Sequence, residues 1–160
     1  DEITIPKSVK KVTLDNTNNV SVIHMEAEKE NELPTVNYEN LKNCKIIVKD
    51  SLFDYFVANN RDVISSSTGN TVVKESDENN SYTYKGGFVI DSNNRLCKIL
   101  TTDAANISLI SDIDSIKKGV FGDAESVTTV IMPKDKNYIK FEDGCFDTGS
   151  VNKIICSCHN

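Results

Sequence analysis

The sequence predicts a strand-rich α/β solenoid, in which short strands recur along the chain and stack on one another. The main observation is a repeat near the C-terminal end, where the segment 116–121 returns as 141–146, an offset of 25 residues. The segment 127–132 then returns as 151–156, an offset of 24 residues. Self-similarity at a period of roughly 20 to 50 residues is typical of stacked arrays. Because no single repeat can bury its apolar face alone, neighbouring repeats must stack.

Matching residues identify the repeat. Gly119 and Phe121 of one copy correspond to Gly144 and Phe146 of the next. A second ladder joins the start of the chain to its later part at a constant offset of 104 residues. Its apolar positions are Ile3, Ile5, Pro6, Val9 and Val12, which align with Ile107, Leu109, Ile110, Ile113 and Ile116. We therefore expect the start of the chain to be another copy of the repeat.

The middle of the chain departs from the repeat. Residues 41–48 predict a strand, and Asp50 and Ser51 are placed to cap a short helix over 52–58 that ends at Asn59 and Asn60. Residues 26–32 are nearly all polar and predict a solvated loop. The stretch 65–81 is rich in Ser, Thr, Asn and acidic residues, so we expect a mobile polar connection with one short strand at 71–73.

A hairpin is predicted after this connection. The apolar segments 87–90 and 96–100 flank Asp91-Ser92-Asn93-Asn94-Arg95, which has the composition of a hairpin loop. The expected organisation is an N-terminal repeat remnant that ends in a strand and short helix over 1–64, a polar connection over 65–81, and a hairpin followed by repeats over 82–160.

Composition argues against several classes of partner. Eighteen Lys and Arg against 24 Asp and Glu give a net charge of -6, and no basic stripe occurs along the chain. Nucleic-acid binding is not expected, because phosphate recognition rests on clustered cations. Membrane insertion is not expected either, because the apolar runs are only a few residues long. The five cysteines are an odd number and four of them are scattered without regular short spacing, so a disulfide framework is not indicated.

No catalytic motif or cofactor site is predicted, and we expect a protein that is not an enzyme. Cys44 or Cys97 could pair with His24 as a nucleophilic dyad, although nothing in the sequence brings them together. Cys156, Cys158 and His159 are clustered, but zinc needs four ligands and its first two cysteines are usually two to four residues apart. We therefore expect no metal there.

The repeats resemble those of the BspA-like leucine-rich-repeat surface proteins. The resemblance rests on the pattern of Ile3-x-Ile5-Pro6-x-Ser8-Val9-x-x-Val12 and on Ile116-x-x-Gly119-x-Phe121 with the strand 127–132 and Pro133. The usual Ala-Phe pair of the family is Val120-Phe121 and Cys145-Phe146 here. The resemblance implies a right-handed leucine-rich-repeat solenoid, secretion or display at the cell surface, and binding of host or extracellular proteins, as in adhesion.

Within such a solenoid, polar residues between apolar neighbours should point outward and contact a partner. The residues expected to do so are Thr128, Thr129, Asn152 and Lys153. Two other functions stay open at this stage. The chain could be an accessory module of an enzyme that acts on cell-wall polymers or polysaccharides, or an architectural spacer.

Overall fold

The computed structural model describes residues 1–101 and 103–157. Contacts divide the chain into two compact units, Asp1–Lys85 and Gly86–Asn160. Each unit is a β-solenoid, in which short strands from successive coils pair in parallel. The structure therefore confirms that the chain is strand-rich and forms a solenoid, as the sequence predicts.

The first unit contains seven strands and a short α-helix within 1–85, all of which the structure describes. The strands are β1 (Glu2–Ile5), β2 (Lys11–Val12), β3 (Val22–Met25), β4 (Thr35–Val36), β5 (Lys45–Val48), β6 (Thr71–Lys74) and β7 (Asp77–Lys85). The helix α1 is Phe53–Asn59, and short 3-10 helices occur at Glu30–Glu32 and Asp50–Leu52.

The main sheet of this unit runs in the order β1-β3-β5-β6-β7. Strands β1, β3, β5 and β6 are parallel, and β7 pairs antiparallel to β6. Register aligns Ile23, Ile46 and Val72 on successive strands, and all three are fully buried. A small parallel side sheet joins β2 to β4. The apolar column through the coils is therefore the core that the repeat predicts.

The short strand predicted at 71–73 is confirmed as β6, but the rest of the stretch 65–81 differs from a polar connection because it also contains the first part of β7. Val72 and Val73 are fully buried there, and they pair with Tyr82 and Ser81. Burial of this short apolar pair against the coils outweighs the polar composition around it. The boundary between the compact units falls after Lys85.

The predicted helix is confirmed as α1, but its capping is not as expected. Leu52 occupies the N-cap position, and no side chain caps the helix. The Asp50 carboxylate instead accepts hydrogen bonds from the backbone N–H and the hydroxyl of Ser76. Asp50 therefore ties the start of the helical segment to the turn between β6 and β7.

The second unit begins with the predicted hairpin, which is confirmed as an antiparallel pair of β8 and β9. Its strands are β8 (Phe88–Asp91), β9 (Arg95–Ile99), β10 (Asn106–Ser108), β11 (Ser115–Ile116), β12 (Thr129–Ile131), β13 (Lys140–Phe141) and β14 (Lys153–Ile155), counted over the described residues. Strands β9, β11 and β13 pair in parallel, as do β10, β12 and β14.

The register predicted from the repeat is confirmed in this unit. Ile116 pairs with Phe141, which reproduces the offset of 25 residues, and Val130 pairs with Ile154, which reproduces the offset of 24. Gly119 and Gly144 both adopt a φ of 81°, a left-handed conformation that glycine tolerates best. Two coils of the second unit thus share the same turn.

Candidate binding surface

The four residues predicted to contact a partner lie together on neighbouring strands. Thr129 of β12 pairs in register with Lys153 of β14, and the Asn152 N–H donates to the Thr128 carbonyl at 2.9 Å. The Thr128 N–H in turn donates to Ala105 at 2.8 Å. Thr128 and Thr129 are half-buried, whereas Asn152 and Lys153 are exposed. The polar part of the site therefore lies mainly on β14.

The neighbouring isoleucines of β14 are exposed, which the sequence analysis did not anticipate. Ile107 and Val130 are buried at equivalent positions of the two preceding strands. Ile154, next in this column, is 44% exposed, and Ile155 is 38% exposed. Within the described residues, β14 is an edge strand with β12 as its paired neighbour. Among the described residues, no strand therefore covers Ile154 in the way that Ile154 covers Val130.

A shallow cavity of about 490 Å³ adjoins this edge. Phe146, Val151 and Ile154 form its apolar lining, and Asn152 and Lys153 supply its polar groups. The ring of Phe146 stacks on the ring of Phe141, with 5.2 Å between the two centroids. We call Phe146, Val151, Asn152, Lys153, Ile154 and Ile155 the β14 surface. This surface combines exposed or half-buried apolar side chains with the polar groups of Asn152 and Lys153.

The charge of the β14 surface comes from Lys153. In the part of the chain that the structure describes, its ammonium group makes no ion pair or hydrogen bond. Elsewhere in the second unit, Arg95 and Lys136 are paired with Glu142 and Asp114. Lys153 therefore places an exposed and unpaired positive charge at this edge.

The cysteines do not form the dyad considered from the sequence. The Cys44 and Cys97 thiols donate to the carbonyl oxygens of Lys45 and Arg95. The pKa of each thiol is raised to about 11, mainly because the thiol is buried. The His24 imidazole instead contacts the Glu2 carboxylate at 2.5 Å. Both thiols are thus held protonated at neutral pH, and a protonated thiol is a weak nucleophile.

The clustered sulfur ligands fall only partly within the structure. Cys156 is exposed, whereas Cys158 and His159 lie outside the described residues. Among the described residues, no three His, Cys, Asp or Glu side chains come together in a way that could hold a metal ion. No helix in the same part of the chain has the length and apolar character needed to cross a membrane.

Comparison with known proteins assigns no family to the chain. A scan against family models found no match, and searches of curated proteins and of solved structures found no significant match.

Proposed function

We propose that this chain is a non-catalytic binding domain of the BspA-like leucine-rich-repeat type, secreted or displayed at the cell surface, which contacts a host or extracellular protein. The observation that carries the proposal is the β14 surface, where exposed Ile154 and Ile155 adjoin an unpaired lysine. Isolated exposed isoleucines are common on protein surfaces. Here Ile154 of the edge strand lines a cavity together with Phe146 and Val151, and an exposed apolar cluster of this kind is typical of interaction sites.

The leucine-rich-repeat part of the proposal is supported by the geometry of the second unit. Its coils repeat at 24 and 25 residues, and two of them carry the Gly-x-Phe motif at the same turn. Phe121 and Phe146 of successive motifs stack on each other. The right-handed winding and the display outside the cell come from the family resemblance and are part of what we propose.

The proposed contact follows from the chemistry of an edge strand. The outer side of β14 presents backbone N–H and C=O groups that can pair with an extended segment of the partner. Ile154 would be covered by an apolar side chain, as Val130 is covered by Ile154 within the unit. Lys153 would attract an acidic side chain, which favours correct orientation more than affinity.

The test is a binding screen of the reduced protein against a panel of extracellular-matrix and host-surface proteins. We expect a saturable partner, and we expect Thr129→Arg combined with Lys153→Glu to abolish its binding. The control combines Ser66→Arg with Lys7→Glu, which makes the same change of charge at exposed positions of the first unit. Binding that survives the first pair would move the site away from β14. A panel without any partner would favour the spacer function.

A further inference from the structure

A second concave site lies in the first unit, beside strand β4. This cavity has a volume of about 570 Å³, within the range of about 300 to 1,000 Å³ that is usual for ligand sites. Residues 36–39 and Lys42 line one wall, and Asp62, Val63 and Thr68 line the other. We call these residues the β4 groove. It is separate in sequence from the β14 surface and does not depend on the function proposed above.

The groove exists because the coils of the first unit are not alike. In chain order, β1 and β3 are each followed by a strand of the side sheet, β2 and β4. Strand β5 is followed by α1 and then by a loop, so the side sheet pairs only β2 with β4. One edge of β4 is therefore without a paired strand in this fully described unit. An open strand edge beside a cavity can accept an extended peptide.

The floor of the groove is apolar and firmly supported. Val36, Tyr38 and Val63 are half-buried, and the Tyr38 ring packs edge-on against Phe56 at a centroid distance of 6.4 Å. Phe56 belongs to the core face of α1. The Tyr38 hydroxyl is a neutral hydrogen-bond donor at physiological pH, and burial raises its pKa further. An aliphatic side chain would find a preformed apolar contact here.

Two carboxylates, from separate segments of the chain, belong to the lining of the groove. Glu39 and Asp62 are exposed, and in the described part of the chain neither carboxylate forms an ion pair. Lys42 contributes one positive charge to the lining, which leaves the groove with an excess of negative charge. A cation in the groove would therefore be attracted by both carboxylates. This charge complementarity selects a basic ligand over an acidic one.

We propose that the β4 groove binds an extended peptide segment in which an aliphatic residue stands next to a lysine or arginine. The peptide backbone lies along the free edge of β4, and the aliphatic side chain rests on Val36, Tyr38 and Val63. The basic side chain lies between Glu39 and Asp62. Affinity of a single short segment is modest, because the contact is small and the ion pairs are exposed to water.

The experiment is an NMR titration of the 15N-labelled protein with the blocked tetrapeptide acetyl-Thr-Leu-Arg-Thr-amide. Chemical-shift changes are expected to concentrate at residues 36–42 and 61–68. The peptide with Glu in place of Arg should bind at least about fivefold more weakly, since it loses two exposed ion pairs. The peptide with Gly in place of Leu should also bind more weakly, since it lacks the apolar contact.

Three variants separate binding in this groove from unspecific charge effects. Glu39→Gln with Asp62→Asn keeps the shape of the groove and should remove the preference for Arg over Glu. Asp123→Asn with Glu125→Gln, two exposed positions of the second unit, is the matched control and should keep that preference. Val63→Arg should block binding of the Arg peptide, and its amide spectrum shows whether the fold is retained.

Three results would overturn the proposal. They are equal binding of the Arg and Glu peptides, shift changes that map outside the groove, and no shift changes at millimolar peptide. None of them would bear on the β14 surface, which is tested with different variants and a different panel of ligands.

Discussion

Phe121 stacks on Phe146, with ring centroids 5.0 Å apart and ring planes 8° from parallel. The two residues occupy the same position in successive repeats, and Phe121 is fully buried whereas Phe146 is half-buried. Buried aromatic contact of this kind links one coil to the next. Substitution of either phenylalanine therefore tests directly how much this contact contributes to the stability of the second unit.

Phe121→Ala should lower the free energy of unfolding by about 3 to 5 kcal/mol, because it leaves a cavity in a closed part of the core. Phe146→Ala should cost less, because Phe146 already has one side near solvent. Urea denaturation followed by circular dichroism measures both changes. A cost below about 1 kcal/mol for Phe121→Ala would contradict its assigned position in the stack.

Asn70 should be the most sensitive polar residue of the first unit. It is fully buried; its side-chain oxygen accepts the Cys44 N–H at 3.0 Å, and its amide donates to Leu41 at 2.8 Å and Val63 at 3.0 Å. Asn70→Ala should cost about 3 kcal/mol, because it leaves several buried backbone groups without partners. Asn59→Ala, at an exposed asparagine near the end of α1, is the control and should cost well under half as much. Equal losses of unfolding free energy for the two variants would argue against this role.

The Arg95 and Glu142 pair should make the second unit less stable in acid. The Arg95 guanidinium donates to both carboxylate oxygens of Glu142, at 2.7 and 2.6 Å, and these hydrogen bonds lower the pKa of Glu142 from its ordinary value of 4.5. A lowered folded-state pKa stabilises the protein above the unfolded-state pKa, and this contribution is lost as the pH falls through the folded-state pKa.

Glu142→Gln should therefore destabilise the protein at neutral pH by about 1 kcal/mol or less, since the pair is partly exposed to solvent. The difference between variant and parent should shrink as the pH falls below 4.5, the ordinary value for this carboxyl. Urea titrations at a series of pH values measure this convergence. A difference that is constant across the acidic range would show that the variant acts through packing.

The cysteines should differ widely in reactivity. Cys156 is exposed, whereas Cys44 and Cys145 are buried and burial raises the pKa of both thiols. In a Cys158→Ser background, a disulfide reagent near pH 8 should modify Cys156 first. Mass spectrometry of the modified peptides identifies the sites. Fast modification of Cys44 in the native protein would contradict its assigned burial, and denaturant should abolish the difference between sites.

Several elements could be predicted from the sequence because their signals are local. The register of β11 with β13 and of β12 with β14 follows from repeated residue patterns at offsets of 25 and 24. The hairpin of β8 and β9 follows from apolar segments around a polar loop. Helix α1 follows from apolar spacing. The four polar residues around β12 and β14 could also be assigned to adjacent strands, since the repeat sets their alignment.

Other features depend on which coil lies next to which, and composition does not contain that information. Strand β7 forms in part within a polar stretch because it pairs with β6, whose Val72 lies in the apolar column of Ile23 and Ile46. The β4 groove exists because α1 takes the place of a side strand. By itself, the sequence determined the repeat and its periodicity. Only the tertiary structure decided that Val130 is covered while Ile154 is exposed, because burial is set by neighbours that are distant in sequence.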